Sequence, residues 1–419
     1  MALLIQNVVV IDPTSPFHGQ QVHLLTDGKQ VLQVAANMAP QAHDTFDAAG
    51  AMISPGWADP FCFFGEPGYE YRETLHSGSA AAAAGGYTHV LLLPNTLPVM
   101  DNRSVVERLR THRGPVQLQA IGAISQGAAG KELAEMYDMA AGGAAAFSDG
   151  CEPVQQSGIF LKALEYVKAI DKVLIQRPDD RSIAPHGLMN EGPLSVQLGL
   201  AGRPAIAEEL AVAKAIDLAL YTGGKLHLTG ISTAASIQRI KEAKKENKSI
   251  TCSVTPHHLF FDETRLEGYH SNFKLDPPLR SPQDVAALKA AVLDGTIDCI
   301  ASHHLPQHTD HKRLEFEYAK PGMISLQTAF AAVATAIPEA GAEKLVALFT
   351  NARQIFELPP ASVQEGSAAD FTLFRMNERW AFQPKHNKSL SHNSAYFGQV
   401  FTARPIGTIT QSGLHLGPA

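Results

Sequence analysis

Pro55-Gly56-Trp57-Ala58-Asp59-Pro60-Phe61-Cys62-Phe63-Phe64-Gly65-Glu66-Pro67-Gly68 is the stretch around which the rest of the chain can be read. Its apolar lead-in, Ala51-Met52-Ile53, followed by Pro-Gly and an abrupt polar end, predicts a buried strand running into a functional loop. Side chains alternate faces along a strand, so Phe61 and Phe63 share one side of it. A benzyl group has no lone pair to give a metal.

To either side of this stretch the pattern divides. Residues 1 to about 50 alternate short apolar runs with turns: Leu3 to Ile11, Asp12-Pro13, Val22 to Leu25, Asp27-Gly28, Val31 to Val34. This is strand and hairpin punctuation without helical periodicity. The far end reads alike, from Ala369 to Phe374, through Gly398 to Phe401, to Gly407 to Thr410. Between about 53 and 358, eight strand-like runs alternate with amphipathic helices. After the run ending at Phe63 come Thr88 to Asn95, Val116 to Ile124, Ala144 to Asp149, Val173 to Arg177, Lys225 to Ile231, Ile250 to Thr255 and Ile297 to His303. Helices are expected over Ala205 to Tyr221, over Pro282 to Leu293, and over the small-residue run Ala80 to Ala84. Eight alternations predict an α/β fold, a (β/α)8 TIM-type barrel whose chemistry sits at the C-terminal ends of the strands. The expected division is 1–52 and 359–419 as two parts of one composite β-sandwich, with the barrel over 53–358.

The 419 residues are 45% hydrophobic and 18% charged, with a net charge of -7. No basic field for nucleic acid follows from that balance. The first ten residues lack the basic start and cleavage site of a signal peptide, and no apolar run reaches a membrane-spanning length, so a cytoplasmic location without membrane contact is expected. Cys62, Cys151, Cys252 and Cys299 are widely spaced, which predicts buried free thiols and not a disulfide framework or a cysteine zinc site.

A series of short motifs then falls in order. Pro55, Gly56, Asp59, Glu66, Pro67 and Gly68 are followed by Pro94-Asn95-Thr96, Phe147-Ser148-Asp149-Gly150, Asn190-Glu191-Gly192, Ile250-Thr251-Cys252, Pro277-Pro278-Leu279-Arg280, Pro321-Gly322 with Leu326-Gln327-Thr328, and Glu365 to Asp370. Together they resemble the dihydroorotases of the amidohydrolase superfamily over nearly the whole chain. The Glu-Pro-Gly and Pro-Pro-Leu-Arg elements favour dihydroorotase or allantoinase over dihydropyrimidinase. The resemblance implies a barrel with a composite sandwich and a zinc site at the strand ends.

Carried over position by position, that zinc site is missing. Phe61 and Phe63 stand where the family has two histidine ligands, Gln176 and Gly230 where the fifth and sixth strands supply histidines, and His303 where the eighth supplies the aspartate base. Gly65 replaces the arginine that grips a substrate carboxylate. A vestigial substrate pocket of Asn95, His258, Asp276 and Arg280 remains by resemblance. Zinc needs several N, O or S donors converging, and a catalytic site needs three or more with an open position. Of the inherited set only Asp149 and His303 could donate, so no cofactor is expected. A rebuilt site would draw on His303, His304, His308 and His311, with His257-His258 ending the seventh strand. The plainer expectation is that His303 hydrogen-bonds inside a plugged barrel mouth while His308 and His311 lie on a solvated loop. Asp149 is expected as an acid held by backbone N–H groups. Phe61, Phe63 and Phe64 are expected as core filling the vacated pocket, with an aromatic ligand slot as the alternative.

The pattern Ser302 to Pro306 resembles a non-catalytic branch of the family that serves as the structural partner of aspartate transcarbamoylase in pyrimidine synthesis. The resemblance therefore implies a pseudoenzyme, homo-oligomeric and bound to the aspartate transcarbamoylase catalytic chain, with His308 to Gly322 as contact elements. The competing readings are an active dihydroorotase or related cyclic-amide hydrolase with a rebuilt metal site, and a module that binds a pyrimidine precursor.

Overall fold

In the computed structural model, which describes residues 2–38 and 44–418, eight parallel strands follow one another around a near-closed barrel. They are Trp57–Cys62, Tyr87–Leu92, Gln117–Gly122, Ala144–Phe147, Val173–Gln176, Lys225–Leu228, Ile250–Val254 and Cys299–Ile300. Each expected strand is present. Closure between the first and the eighth rests on one bridge, Cys62 beside His304, with the Phe63 N–H donating to the His304 carbonyl at 2.9 Å.

The eighth strand is much shorter than the expected run from Ile297 to His303. The cause lies in the first strand. The buried carboxylate of Asp59 accepts from the Ser302 N–H at 2.7 Å and from its hydroxyl at 2.5 Å, which turns the chain inward, and His303 then takes a left-handed φ of 45°. Only a few per cent of residues other than glycine adopt positive φ, so this is a local bend imposed by its surroundings. Burial raises the Asp59 carboxyl to about 7 despite the donors from Ser302.

The helices form where the periodicity places them: Leu75–Ala84, Ile206–Thr222 and Pro282–Leu293. The first is capped by Thr74, whose hydroxyl accepts from the Ser77 N–H at 3.0 Å. Its small residues serve close packing, since a Cβ on Gly78 would lie 2.5 Å from the Phe64 ring.

A second eight-stranded sheet joins both ends of the chain. Leu3–Val10 pairs antiparallel with Gln21–Thr26 and parallel with Met52–Pro55, and Phe371–Ala381 pairs antiparallel with Met52–Pro55, setting Leu373 opposite Ile53. Ile5, Val8, Leu24, Ile53, Phe371 and Ile409 form its core. Sheet and barrel meet at Gly56, where a Cβ would lie 2.1 Å from both Asp370 Oδ1 and Thr88 Oγ1. Arg353 fastens this joint. Its guanidinium donates to the Gly56 carbonyl at 2.9 Å, to Asp370 Oδ2 at 2.7 Å and to the Pro359 carbonyl. Below it Trp57 packs on Phe330, Phe349 and Phe374, with ring centroids 4.6, 5.1 and 5.6 Å away.

Three of the four cysteines are buried, and all four are free. Among the described residues no helix is long and apolar enough to cross a membrane.

Candidate functional site at the barrel mouth

The C-terminal ends of the strands surround a cavity of about 580 Å³. The expectation of a plugged mouth is therefore corrected: Phe61 and Phe63 are buried in its wall and do not fill it. The reason is visible in how each ring is used. Phe61 lies flat against the His303 imidazole, with centroids 4.4 Å apart and planes 28° from parallel. Phe63 carries the Arg72 guanidinium over its face at 4.5 Å. Both rings are drawn sideways into pairs, leaving the centre open.

Positions 61, 230 and 303 form one packing unit. Gly230 has φ 69°, and a Cβ there would lie 2.7 Å from Cε1 of His303. The His303 ring thus occupies the room that a side chain at 230 would need. Its Nε2 is 2.9 Å from the Thr229 hydroxyl, which also accepts from Ser253 Oγ at 2.8 Å, and Ser253 in turn meets His227 Nε2 at 3.0 Å. Burial drives the His303 imidazole well below its usual range and takes His227 to about 3. Neutral His303 is thus a packed and hydrogen-bonded group. Gln176 is buried behind the wall, its amide donating to the Val154 carbonyl at 3.4 Å, and does not line the cavity.

Gly65 is equally constrained. A Cβ would lie 2.1 Å from the Tyr69 carbonyl oxygen and 2.9 Å from that of Glu73, so this backbone admits no arginine there. A guanidinium enters from Arg72 instead, with Nε donating to the Pro306 carbonyl at 2.9 Å.

The residues assigned by resemblance to a vestigial substrate pocket are not all brought together. Asn95 lines the cavity but is tied to the fourth-strand loop, donating to the Asp149 carbonyl and accepting from the Cys151 N–H, both at 3.0 Å. Asp276 also lines it, and its carboxylate accepts from Arg177 at 2.8 Å and Arg203 at 2.7 Å, with Arg181 3.8 Å away. Burial would raise that carboxyl, but the three guanidinium groups hold it below the ordinary range. His258 stands in the wall with both nitrogens used, one 2.7 Å from the Thr255 hydroxyl and the other 3.1 Å from the Pro278 carbonyl. Arg280 is placed elsewhere. It is buried behind the mouth, donating to Ser232 Oγ and Asn190 Oδ1 at 2.9 Å and facing Glu208 at 3.6 Å. A charge this deeply buried needs its own acceptors, and these draw it away from the cavity.

Asp149 accepts from the Ile124 and Ser125 N–H groups at 2.9 Å and from the Ser125 hydroxyl at 2.5 Å. Burial lifts its carboxyl above the usual range in spite of these donors. It is a structural acid holding the third-strand loop.

The histidines do not converge. His304 is buried, with Nδ1 accepting from the Ser325 N–H at 3.1 Å and Nε2 turned toward Glu73 at 3.5 Å. His308 caps the short helix Thr309–Lys312, its Nδ1 accepting from the Asp310 N–H at 3.3 Å, and its side chain is 42% exposed. His311 is not on a fully solvated loop as expected: it is half-buried and lines the cavity, beside Tyr71. Among the described residues no three His, Cys, Asp or Glu side chains gather so as to hold a metal ion. The donor set does not fit the zinc that the resemblance implies: two rings without lone pairs, a buried amide and a glycine stand at its ligand positions.

A dihydro-orotase-like family profile matches residues 50–236. A protein named dihydroorotase from Syntrophus aciditrophicus is 35% identical over 418 residues, covering 98% of either chain. Another, from Pelotomaculum thermopropionicum, is 37% identical over 415 residues, 98% of this chain and 97% of that one. The chain belongs to the dihydroorotase family. Among solved structures, the L-hydantoinase of Arthrobacter aurescens has the same fold, with a TM-score of 0.86 at 20% identity over 98% of this chain and 95% of that one. The dihydropyrimidinase of Brevibacillus agri gives 0.83 at 18%.

Two residues of this dihydroorotase-family mouth escaped the sequence reading. Arg177 directly follows the fifth strand, so the rule that chemistry gathers at strand ends pointed to it. Arg72 lies four residues beyond Pro67-Gly68 in a stretch without periodicity, and no sequence signal marks it as the group that turns back over Phe63.

Proposed function

We propose that this chain is a non-catalytic member of the dihydroorotase family, retained in pyrimidine biosynthesis as the structural partner of the aspartate transcarbamoylase catalytic chain. The observation that carries the first half is the interlocked packing of Phe61, His303 and Gly230, which uses the space of the lost ligands for other contacts. Without a bound metal nothing lowers the pKa of a water to near 7 or polarises a cyclic amide carbonyl. His303 is a poor general base, because its Nε2 is engaged by Thr229 and burial disfavours the imidazolium that taking up a proton would form.

The second half rests on the resemblance of Ser302 to Pro306 and on the retention of the whole frame, since the relatives match over 98% of this chain. A barrel persists readily as a scaffold because its surface and its catalytic loops are separable parts. The segment His308 to Gly322 exposes Leu314 and Tyr318 and offers contact elements for an interface of at least ~1,200 Å². Co-expression with the aspartate transcarbamoylase catalytic chain, followed by sedimentation and transcarbamoylase assays, tests this. A mixed complex with altered assembly or activity of the transcarbamoylase is the expected result. No complex at micromolar concentration, with a transcarbamoylase fully assembled and active alone, overturns the partnership.

A further inference from the structure

The barrel interior carries a file of polar side chains where branched aliphatic ones are usual. His227 lies in the sixth strand and Thr229 just past its end, while Thr251 and Ser253 lie in the seventh, and each pair is two residues apart and so on one face. His227 Nδ1 is 2.9 Å from the Thr251 hydroxyl, and its Nε2 is 3.0 Å from Ser253 Oγ. Ser253 donates to Thr229 Oγ1 at 2.8 Å, and Thr229 Oγ1 is 2.9 Å from His303 Nε2. His227, Thr229 and Ser253 are fully buried, but the file opens at both ends. His303 lines the mouth. Half-buried Thr251 lines a second cavity of about 340 Å³ at the N-terminal ends of the strands, beside Lys225, Lys248, Asp298 and Glu357.

The bonds run in one direction. Ser253 gives its only hydrogen to Thr229, so it accepts from His227, whose ring hydrogen therefore sits on Nε2. Burial keeps both imidazoles neutral, so His227 Nδ1 is an acceptor and takes the Thr251 hydrogen. Thr229 in turn donates to His303 Nε2, which leaves the His303 hydrogen on Nδ1. That nitrogen has no partner among the described residues and is not a buried unpartnered atom, so it faces the cavity that the ring lines. A reversed arrangement keeps the same four links. In it His303 Nε2–H donates to Thr229, Thr229 to Ser253, Ser253 to His227 Nε2, and His227 Nδ1–H to Thr251, whose own hydrogen turns to the Leu226 carbonyl 3.4 Å away or to an acceptor in the lower cavity. We propose that this chain is a two-state relay, which ties the position of the His303 ring hydrogen at the mouth to what Thr251 meets at the opposite end of the barrel. The switch conserves hydrogens: each member passes one toward the mouth, Thr251 takes one from water in the lower cavity, and His303 Nδ1 releases one to water in the mouth. An element with two arrangements, biased from both ends, is what coupling between two sites requires. The relay depends on neither half of the function proposed above.

The test is proton–nitrogen correlation NMR of the histidine rings in the intact protein at pH 8, with His227→Gln and His303→Gln assigning the two sets of signals. In the unmodified protein Nε2–H at His227 and Nδ1–H at His303 are expected as the major forms. An unconstrained neutral histidine favours Nε2–H, so opposite tautomers on the two rings are the signature of the relay. Thr251→Asp sets a carboxylate against His227 Nδ1 and should draw the hydrogen there, reversing every link and moving the His303 hydrogen to Nε2 as the major form. At pH 8 His227, held at about 3, stays neutral even beside an added carboxylate. Thr251→Val should leave both rings as they are, since a lone pair without a donor costs less than a buried N–H without an acceptor. A His303 hydrogen on Nε2 in the unmodified protein, a His303 pattern that Thr251→Asp leaves unaltered, or one that Thr251→Val reverses each overturns the proposal. The tautomers of the unmodified protein decide even if the variants fail to fold.

Discussion

Two arginines at opposite ends of the barrel show how differently one side chain can be used. Arg353, at the N-terminal ends of the first two strands, finds the Gly56 and Pro359 carbonyls and Asp370, so that the sheet is tied to the barrel. Arg72, at the C-terminal ends, has one carbonyl and the faces of Phe63 and Tyr69, and among the described residues no hydrogen-bond or ion-pair partner for its two terminal nitrogens. A desolvated charge costs free energy unless it is paired, so the first arginine is part of the fold's stability and the second is tolerated beside an open cavity. The frame of the fold and the chemistry of its mouth are thus separable.

The largest effect is expected where the pairing is complete. Arg353→Met leaves Asp370, whose side chain is only 15% exposed, without its cation and should cost about 3 kcal/mol in denaturant unfolding. A loss below about 1 kcal/mol would erase the contrast between the two ends. At the mouth, Phe63→Ala removes a buried ring and the seat of Arg72, with an expected cost of about 3 kcal/mol, toward the low end for phenylalanine truncation because the site adjoins a cavity. Replacing both Phe61 and Phe63 by histidine should lower the thermal midpoint without giving turnover, since Gln176 and Gly230 still offer no ligand. Gly230→Ala combines a left-handed backbone with a Cβ 2.7 Å from His303, and a loss of about 1–3 kcal/mol is expected. Arg72→Met is the sharpest comparison with Arg353. Its stability should stay within about 1 kcal/mol of the parent or rise, because an unpaired desolvated charge is removed.

A pH dependence is common to both ends. Burial depresses His89 at the joint to about 4, and His257 and His258 at the mouth to about 3 and 4, with His227 also at about 3. The unfolded chain binds these protons near 6.5, so the stability they contribute is present above that value and is lost as pH falls through the folded values. Asp59, raised to about 7, acts with the opposite sign, its contribution falling as pH rises from 3.8 to 7. With His303 lowered as well, the histidines outnumber the raised carboxyls Asp59 and Asp149, so the thermal midpoint should drop between pH 6.5 and 4, and a flat profile there would show that the histidines are not held neutral.

The fold was legible because its signals are local and repeated. Alternating apolar runs and helical periodicity fall where the strands and helices lie, and each barrel strand was found within a few residues. The eighth was overestimated because its end is set by Asp59, more than two hundred residues away in sequence. The absence of zinc donors could be read position by position, since a phenyl ring or a glycine excludes ligation whatever its surroundings. The contents of the vacated space could not. That Phe61 turns to His303, that Arg280 is drawn behind the wall by Glu208, Ser232 and Asn190, and that Arg72 enters the cavity all depend on long-range packing that no spacing encodes.

The central claim is that the mouth holds no catalytic metal, and the most direct measurement is metal content by mass spectrometry on the purified protein, before and after zinc supplementation, paired with an assay of dihydroorotate and carbamoyl aspartate interconversion. The account predicts zinc well below one ion per chain and no turnover under either condition. One zinc per chain together with measurable turnover would contradict it.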